Sequence, residues 1–543
     1  MQRSPQRIDI KREDLERLLE HARPSLTEAE YQQLKAALDT LVYLAQLVGN
    51  KNTTIARLRQ ILFGASTEKT ATVLKSLIGP TPEATPPTPA ADTAEPSGTL
   101  SAPPREGHGR HGANDYSGAI TIPVPHPNLS SGVLCPECRR GKLYEVTPAG
   151  TLVRVTGQAP LAATVYQLHK LRCNLCLDVF TAAPPDGIGT QKYDAGAASM
   201  IALLKYGSGV PFYRLAGLQN SLGVPLPAST QWEIVEKTAT LMAPAFDELV
   251  REAAQGEVVH TDDTSMTILA HAPDSASAPA EAAPAERRGV FTSGIVSTRE
   301  GRSIALFFTG QKHAGENLAH VLAQRAAELA PPIQMADALS RNFVGPLKTI
   351  VANCLAHGRR KVVDVAAQFP DECRYILETL AVVYQNDAQC KEQRLSPAAR
   401  LNFHQTHSDP LMKTLETWLS AQFEQRLVEP NSGLGQAITY LRRHWTPLTL
   451  FLRRAGAPLD NNVCEQVLKR AILHRKNALF YKTDHGAQVG DTFMSLIHTC
   501  ALVAANPFDY LTALQTHSTA LSQNPAQWLP WNYRDTLAQL DSS

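Results

Sequence analysis

The chain has 543 residues, with 52 Lys and Arg against 51 Asp and Glu and a net charge of +1. That length holds several domains and at least one sizeable core. Near-neutrality excludes a uniformly basic protein, so a surface for a polyanion must be a local concentration of cations. No run reaches the roughly 18 apolar residues a bilayer span requires, and the opening MQRSPQRIDI has no apolar run, so a cytoplasmic protein is expected.

In chain order, residues 13–63 carry a helical pattern. Leu34, Leu41, Val48, Ile55 and Leu62 recur every seven residues, with Ala37, Leu44 and Leu58 at the intermediate seam positions. This favours a coiled coil and self-association over a single amphipathic helix, although Lys51 weakens the seam. An N-terminal helical domain is therefore placed at 1–78. Residues 79–117 form an extended Pro/Ala-rich linker with a basic Gly/His segment, REGHGRHGANDY, at its end.

A strand-bearing segment at 118–190 holds two Cys-x-x-Cys pairs, and residues 191–255 are helical around the turn-rich SLGVPLPAST. A helix, a Gly-containing turn and a second helix from about Ser229 fit a helix-turn-helix or an ordinary helix pair equally well. Strands follow at 257–270, 289–297, 303–309, 333–336 and 348–353, with a helix at 314–329 and a low-complexity insertion at 271–288. Three consecutive strands and then alternating helix and strand give a mixed α/β core at 256–371. A helical segment at 372–450 separates that core from its continuation at 451–500. A helical C-terminal tail, 501–543, completes a multidomain α/β plus α chain.

Two sets of residues carry chemistry. Cys135, Cys138, Cys173 and Cys176 make two knuckles that together suit one tetrahedral, closed and therefore structural Zn²⁺ site. The other five cysteines read as small buried residues. The second set is acidic. Asp262 and Asp263 end the strand VVHTDDTSM, Asp337 ends the strand PIQMAD, and Glu465 opens a helix in the cationic stretch LDNNVCEQVLKRAILHRKNALF. From 441 to 482 nine Lys or Arg face two acids, Asp460 and Glu465.

Each acid alone has a plain explanation. Strand-end acids cap turns, and Glu465 with Lys469 complements a helix dipole, with Asn461 or Asn462 as the cap. Together, two Asp and a Glu are also the oxygen ligands a pair of Mg²⁺ ions takes for in-line phosphoryl displacement. Surrounding Lys and Arg would then hold a nucleic-acid backbone.

On these residues the chain resembles the transposases of the bacterial insertion sequence 66 family over nearly its whole length. The matching stretches include RLRQILFGASTEK, the paired Cys-x-x-Cys segment, VPFYRLAGLQNSLGVPLPASTQW, HTDDTSM, MADALSRN, NCLAHGRRK and LDNNVCEQVLKRAILHRKNALF. The resemblance implies a ribonuclease-H-like core with a helical insertion and an Asp-Asp-Glu triad on Asp262, Asp337 and Glu465. It implies hydrolysis at transposon ends and strand transfer by the freed 3′-hydroxyl, using two Mg²⁺ ions or Mn²⁺ in their place, without a covalent protein–DNA link. Transposon-end and target DNA are the implied partners of a bacterial, nucleoid-associated protein, together with small accessory proteins encoded by the same element.

Arg359, Arg360 and Lys361, then Lys469, Arg470, Arg475, Lys476 and Lys482, are the expected DNA contacts. Cys354 and His357 match a family Cys-x-x-His element, for which a packed Cys beside a hydrogen-bonded His is the plainer reading than a metal site. The chain departs from the family pattern at Asp263, where Glu is usual, at Gln466, where Arg is usual, and at His474, where Gly is usual. The alternatives are a metal-dependent nuclease on the same core and a non-catalytic zinc-containing DNA-binding protein.

Overall fold

The computed structural model describes residues 121–144, 152–154, 158–172, 174, 179–187, 189, 191–271, 289–343 and 348–542, besides Arg23, Tyr31, Gln32 and Lys35. The seam residues of the coiled-coil reading, the 79–117 linker and the 271–288 insertion apart from His271 lie outside these residues. The chain divides into two compact units, Ala84–His357 with Arg443–Ser543, and Met1–Glu83 with Gly358–Arg442.

The first unit carries a short antiparallel hairpin, β1 (Lys170–Arg172) and β2 (Val179–Thr181), and three helices, α1 (Ala195–Ala202), α2 (Phe212–Ser221) and α3 (Ala228–Ala254). The helix–turn–helix order is present between α2 and α3, and the Gln231 amide closes the turn by donating to Phe212 O and Leu226 O. Helix α3 runs for 27 residues, and Val235, Met242 and Leu249, all fully buried, repeat every seven residues along it. That spacing keeps one apolar stripe on the inner side of a helix, so this side of α3 belongs to the core.

Five strands follow: β3 (Val258–Met266), β4 (Val290–Arg299), β5 (Arg302–Gly310), β6 (Ile333–Ala336) and β7 (Ile350–Asn353). They form one sheet in the order β5-β4-β3-β6-β7, with β3, β4 and β5 antiparallel and β3, β6 and β7 parallel. Helix α4 (Ala314–Leu322) connects β5 to β6. It ends well before 329 because the chain turns there, and Arg325 Nη1 donates to Ala254 O and Gly256 O at the end of α3.

Helix α5 (Leu355–Val363) leads out of the sheet. The second unit then contains α6 (Pro370–Glu392), α7 (Pro397–His407), α8 (Asp409–Glu424) and α9 (Gly433–Arg443), the helical segment expected at 372–450. Inside it, Asp387 meets Arg400 at 2.6 Å, Lys391 at 2.7 Å and His404 at 3.4 Å. Burial acts to raise its carboxyl, but these partners hold it well below the usual carboxylate range.

The chain returns through α10 (Trp445–Leu448), α11 (Asn462–Ala478), α12 (Asp484–Leu502), α13 (Pro507–Thr516), α14 (Ser518–Gln523) and α15 (Tyr533–Asp541). The C-terminal helices, expected as a tail, are part of the core. Tyr510, Trp528 and Tyr533 are buried against the same cluster as α3, and Tyr510 Oη donates to Trp528 O.

Helix α12 covers the open edge of β5. Asp491, Ser495 and Thr499 accept the outward N–H groups of Thr309 (2.6 Å), Phe307 (3.0 Å) and Ala305 (3.1 Å). Four helical residues rise about 6.0 Å and two strand residues about 6.8 Å, close enough for three successive bonds. An edge that could recruit another strand is thereby blocked.

Candidate active site

Strand β3 lies at the centre of the sheet and carries Asp262, whose Oδ1 accepts the N–H of Asp263 at 2.8 Å. Its parallel register with β6 pairs Val258 with Ile333, Val259 with Gln334 and His260 with Met335. Continued two residues, that register puts Asp337, the residue after β6, level with Asp262 in the middle of β3. Asp262 and Asp263 therefore do not end their strand, because pairing with β4 carries it on to Met266. Asp337 Oδ1 accepts from Leu339 N at 3.2 Å and from the Asn342 side-chain amide, which fixes its turn.

Successive side chains on a strand face opposite sides of the sheet, so Asp262 and Asp263 have different surroundings. Asp263 accepts from Ser293 Oγ at 2.7 Å and meets His313 Nδ1 at 3.1 Å, and its side chain is only 1% exposed. It is thus held on the α4 side. Asp262 shares its level with Gly294 of β4, and this side is covered by α11.

Two contacts bring the glutamate helix down onto the sheet. A Cβ on Gly294 would lie 2.9 Å from both Leu468 Cγ and Leu468 Cδ2 and 3.5 Å from Cys464 Sγ, so the missing side chain leaves the space α11 occupies. Cys464, next to Glu465, donates its thiol to Gly294 O at 3.3 Å. At the helix start, Asn461 Nδ2 donates to Thr261 O at 3.0 Å and Asn461 Oδ1 meets His260 Nδ1 at 3.0 Å. The expected Asn cap is corrected here. Asn461 occupies the N-cap position without a side-chain capping bond, because its amide is engaged by β3. Asn462 is instead the first helical residue, and its N–H donates to Asp460 Oδ1 at 3.2 Å.

Glu465 therefore stands in the first turn of a helix pinned to the strand that bears Asp262. Burial, and then the charges of Asp337, Glu465 and Asp263, push the Asp262 carboxyl up to about 7 against the N–H bond that lowers it. Three carboxylates, two of whose charges converge on the largely buried Asp262, offer oxygen donors only, a donor set that fits hard divalent cations.

The expected cations are placed unequally. Lys469, Arg470, Lys476 and Lys482 are exposed. Arg475 is committed internally, donating to Thr264 Oγ1 at 3.1 Å, to Ser265 Oγ at 2.7 Å and to Ser265 O, which ties the end of α11 to β3. On α5, Arg359 is buried, whereas Arg360 and Lys361 are exposed and Lys361 Nζ lies over the Tyr440 ring.

Of the four cysteines expected to hold zinc, Cys135 and Cys138 are described and form a tight turn. Cys135 N donates to Gly141 O at 2.7 Å, Arg139 N donates to Cys135 O at 2.9 Å, and Arg139 takes φ 52°. The Gly141 and Arg140 amides and the neighbouring Cys135 hold the exposed Cys138 thiol below its ordinary value. Cys173 and Cys176 lie outside the described residues. Cys354, Cys373, Cys390, Cys464 and Cys500 are all buried, as expected.

Cys354, His357 and Glu465 offer ligand atoms that all lie within 4.8 Å of one another. Sequence reasoning had only the first two side by side. It also missed Gly294, although an isolated Gly within a strand pattern signals a close backbone approach. No helix among the described residues is long and apolar enough to cross a membrane.

The transposase IS66 family model matches residues 191–489, more than half of the chain, and spans Asp262, Asp337 and Glu465. Relatives from Sinorhizobium fredii include the uncharacterized protein y4jD, 28% identical over 62% of this chain and 65% of that protein. They also include the uncharacterized protein y4hP, 24% identical over 74% of this chain and 73% of its own length. For y4jD the chain thus spans just under two thirds of the relative's length. The match over the sheet, the helical segment and the glutamate helix identifies the chain as a member of the IS66 transposase family.

Proposed function

We propose that this protein is a DNA transposase that cleaves at transposon ends and joins the freed 3′-hydroxyl to target DNA through Asp262, Asp337 and Glu465. The observation that carries this reading is the convergence described above: Asp337 level with Asp262 in the parallel register, and the Glu465 helix seated on Gly294 across from it. Asp262, Asp337 and Glu465 would hold divalent cations, Mg²⁺ or Mn²⁺. Two such ions supply charge stabilisation for the attacking and leaving oxygens of an in-line displacement. The protein's part is positional. Asn461 and Arg475 fix the two ends of the glutamate helix to β3, and Asn342 orients Asp337. The exposed Lys469, Arg470, Lys476 and Lys482 present cations to the DNA backbone from the same helix and the turn that follows it.

A structural Zn²⁺ on Cys135, Cys138, Cys173 and Cys176 is part of the proposal, supported by the amide-lined turn at Cys135–Cys138. So are self-association through 34–62 and accessory proteins from the same element.

Asp262→Asn, Asp337→Asn and Glu465→Gln test the triad on end-containing DNA with Mg²⁺. Each is expected to lose both cleavage and joining by at least about 10³-fold, the scale on which removing a catalytic group acts. Wild-type joining in any of them would remove that residue from the triad. Nicking without joining by the wild-type protein would make it a nuclease.

A further inference from the structure

Beside the carboxylates lies a cluster of mixed chemistry. Cys354 follows β7, and its N–H donates to Ala336 O at 2.9 Å, next to the strand end where Asp337 follows. Leu355 N donates to Leu459 O at 3.0 Å and Asn461 N donates to Cys354 Sγ at 3.3 Å. These two bonds hold the start of α5 against the start of α11. His357 in the first turn of one helix and Glu465 in the first turn of the other therefore face each other, with the Cys354 sulfur between the two elements.

His357 Nδ1 stands 3.9 Å from Glu465 Oε1, beyond hydrogen-bond reach. That nitrogen is buried and has no hydrogen-bond partner among the described residues. A buried polar atom without a partner is costly, and it points into a cluster whose three ligand atoms lie within 4.8 Å of one another.

We propose that Cys354, His357 and Glu465 form a binding site for a thiophilic divalent cation of the zinc class, one that shares Glu465 with the carboxylate triad. One thiolate, one imidazole and one carboxylate suit Zn²⁺ or Co²⁺, whereas Mg²⁺ takes oxygen donors alone. Three protein ligands leave a fourth position open. Tetrahedral bonds of about 2.0–2.3 Å place ligand atoms about 3.3–3.8 Å apart. Rotation of the partly exposed His357 and Glu465 side chains, 25% and 27% accessible, closes the remaining gap. On binding, the Cys354 S–H bond breaks, its proton passes to solvent, and the sulfur lone pair bonds the metal.

The site stands on geometry alone; its consequence for activity rests on the triad reading. Glu465 cannot serve both centres fully, so a thiophilic ion here competes with Mg²⁺ at the triad.

The test is a Co²⁺ titration of the full-length protein without DNA, followed by the thiolate-to-cobalt charge-transfer absorption. Wild type is compared with Cys354→Ser, His357→Gln and Glu465→Gln; the cysteines at 135–176 are common to all four, so difference spectra isolate this site. The wild-type minus Cys354→Ser difference should show a charge-transfer band and about one bound Co²⁺ per chain. His357→Gln, at a partly exposed position, should weaken that binding by at least about tenfold while keeping wild-type circular dichroism. Glu465→Gln should keep the charge-transfer band but shift the visible ligand-field bands. Superimposable spectra and equal stoichiometry in wild type, Cys354→Ser and His357→Gln would overturn the site. An unshifted ligand field in Glu465→Gln would overturn the sharing of Glu465. An active protein without the band loses this site and keeps the triad; an inactive protein with the band does the reverse.

Discussion

Gly294→Ala perturbs the joint between the sheet and the glutamate helix without touching a carboxylate. The added Cβ would lie 2.9 Å from two Leu468 atoms and 3.5 Å from Cys464 Sγ. Carbon atoms settle at about 3.5–4.0 Å, so Leu468 must retreat by roughly 0.6–1 Å. Leu468 is 3% exposed and packed in the main core, which leaves the helix itself to move. Overpacking of this kind costs about 1–3 kcal/mol of stability. A shift of about 1 Å at a catalytic group costs about 10²-fold in rate, and Glu465, proposed as one, lies one turn from Leu468. Denaturant unfolding and strand transfer with Mg²⁺ on the same preparation measure both effects. The decisive comparison is Gly294→Ala with Leu468→Ala. The second change alone removes core contacts at about 2–5 kcal/mol, but in the double variant the new methyl fills part of the vacated space. The double variant should therefore be more stable and more active than the sum of the singles predicts. A Gly294→Ala protein with wild-type stability and activity, or strict additivity in the double variant, would refute the seating of α11 on Gly294.

Three further outcomes are expected. Burial pushes the Asp491 carboxyl up to about 7 against the bonds from Thr309 that lower it. The native state then keeps a proton that the unfolded chain releases near its ordinary value, so stability falls as pH rises from about 4 through 7 and levels off above; three pH units set a ceiling of about 4 kcal/mol. Thermal melts across that range should flatten in Asp491→Asn, and parallel wild-type and variant curves would show that Asp491 is not responsible. Asn461→Ala removes a buried bond to Thr261 O and the partner of His260 Nδ1, which should lower the unfolding free energy by about 2–4 kcal/mol, read as a lower denaturant midpoint at unchanged m; a loss below about 1 kcal/mol would mean the pin is not structural. Metal analysis should find about one Zn²⁺ per chain held by the paired cysteines, falling in Cys135→Ser; a wild-type protein without zinc would end that part of the proposal.

The strands and their two aspartates could be found in the chain because apolar runs such as EVVH and PIQMA lead straight into carboxylates, a pattern that depends only on neighbouring residues; that β3 continues past them to Met266 depends on its pairing with β4. The cationic stretch around Glu465 was equally plain. Its division of labour was not, because whether Arg475 faces solvent or Ser265 depends on what α11 packs against. The polar series Asp491, Ser495 and Thr499 within an apolar helix was visible as a four-residue spacing, but its purpose appears only beside the open edge of β5.

Sequence by itself determined that Asp262 and Asp263 must face opposite sides of any strand that contains them, since the backbone alternates with period two. Only the tertiary structure decided which side of the sheet each of them faces. Helix α4, with Ser293 and His313, takes Asp263. Helix α11, admitted by a glycine and pinned by an asparagine, brings Glu465 to the side of Asp262. Those contacts join residues up to 201 positions apart, a distance across which no local pattern carries information and only packing does.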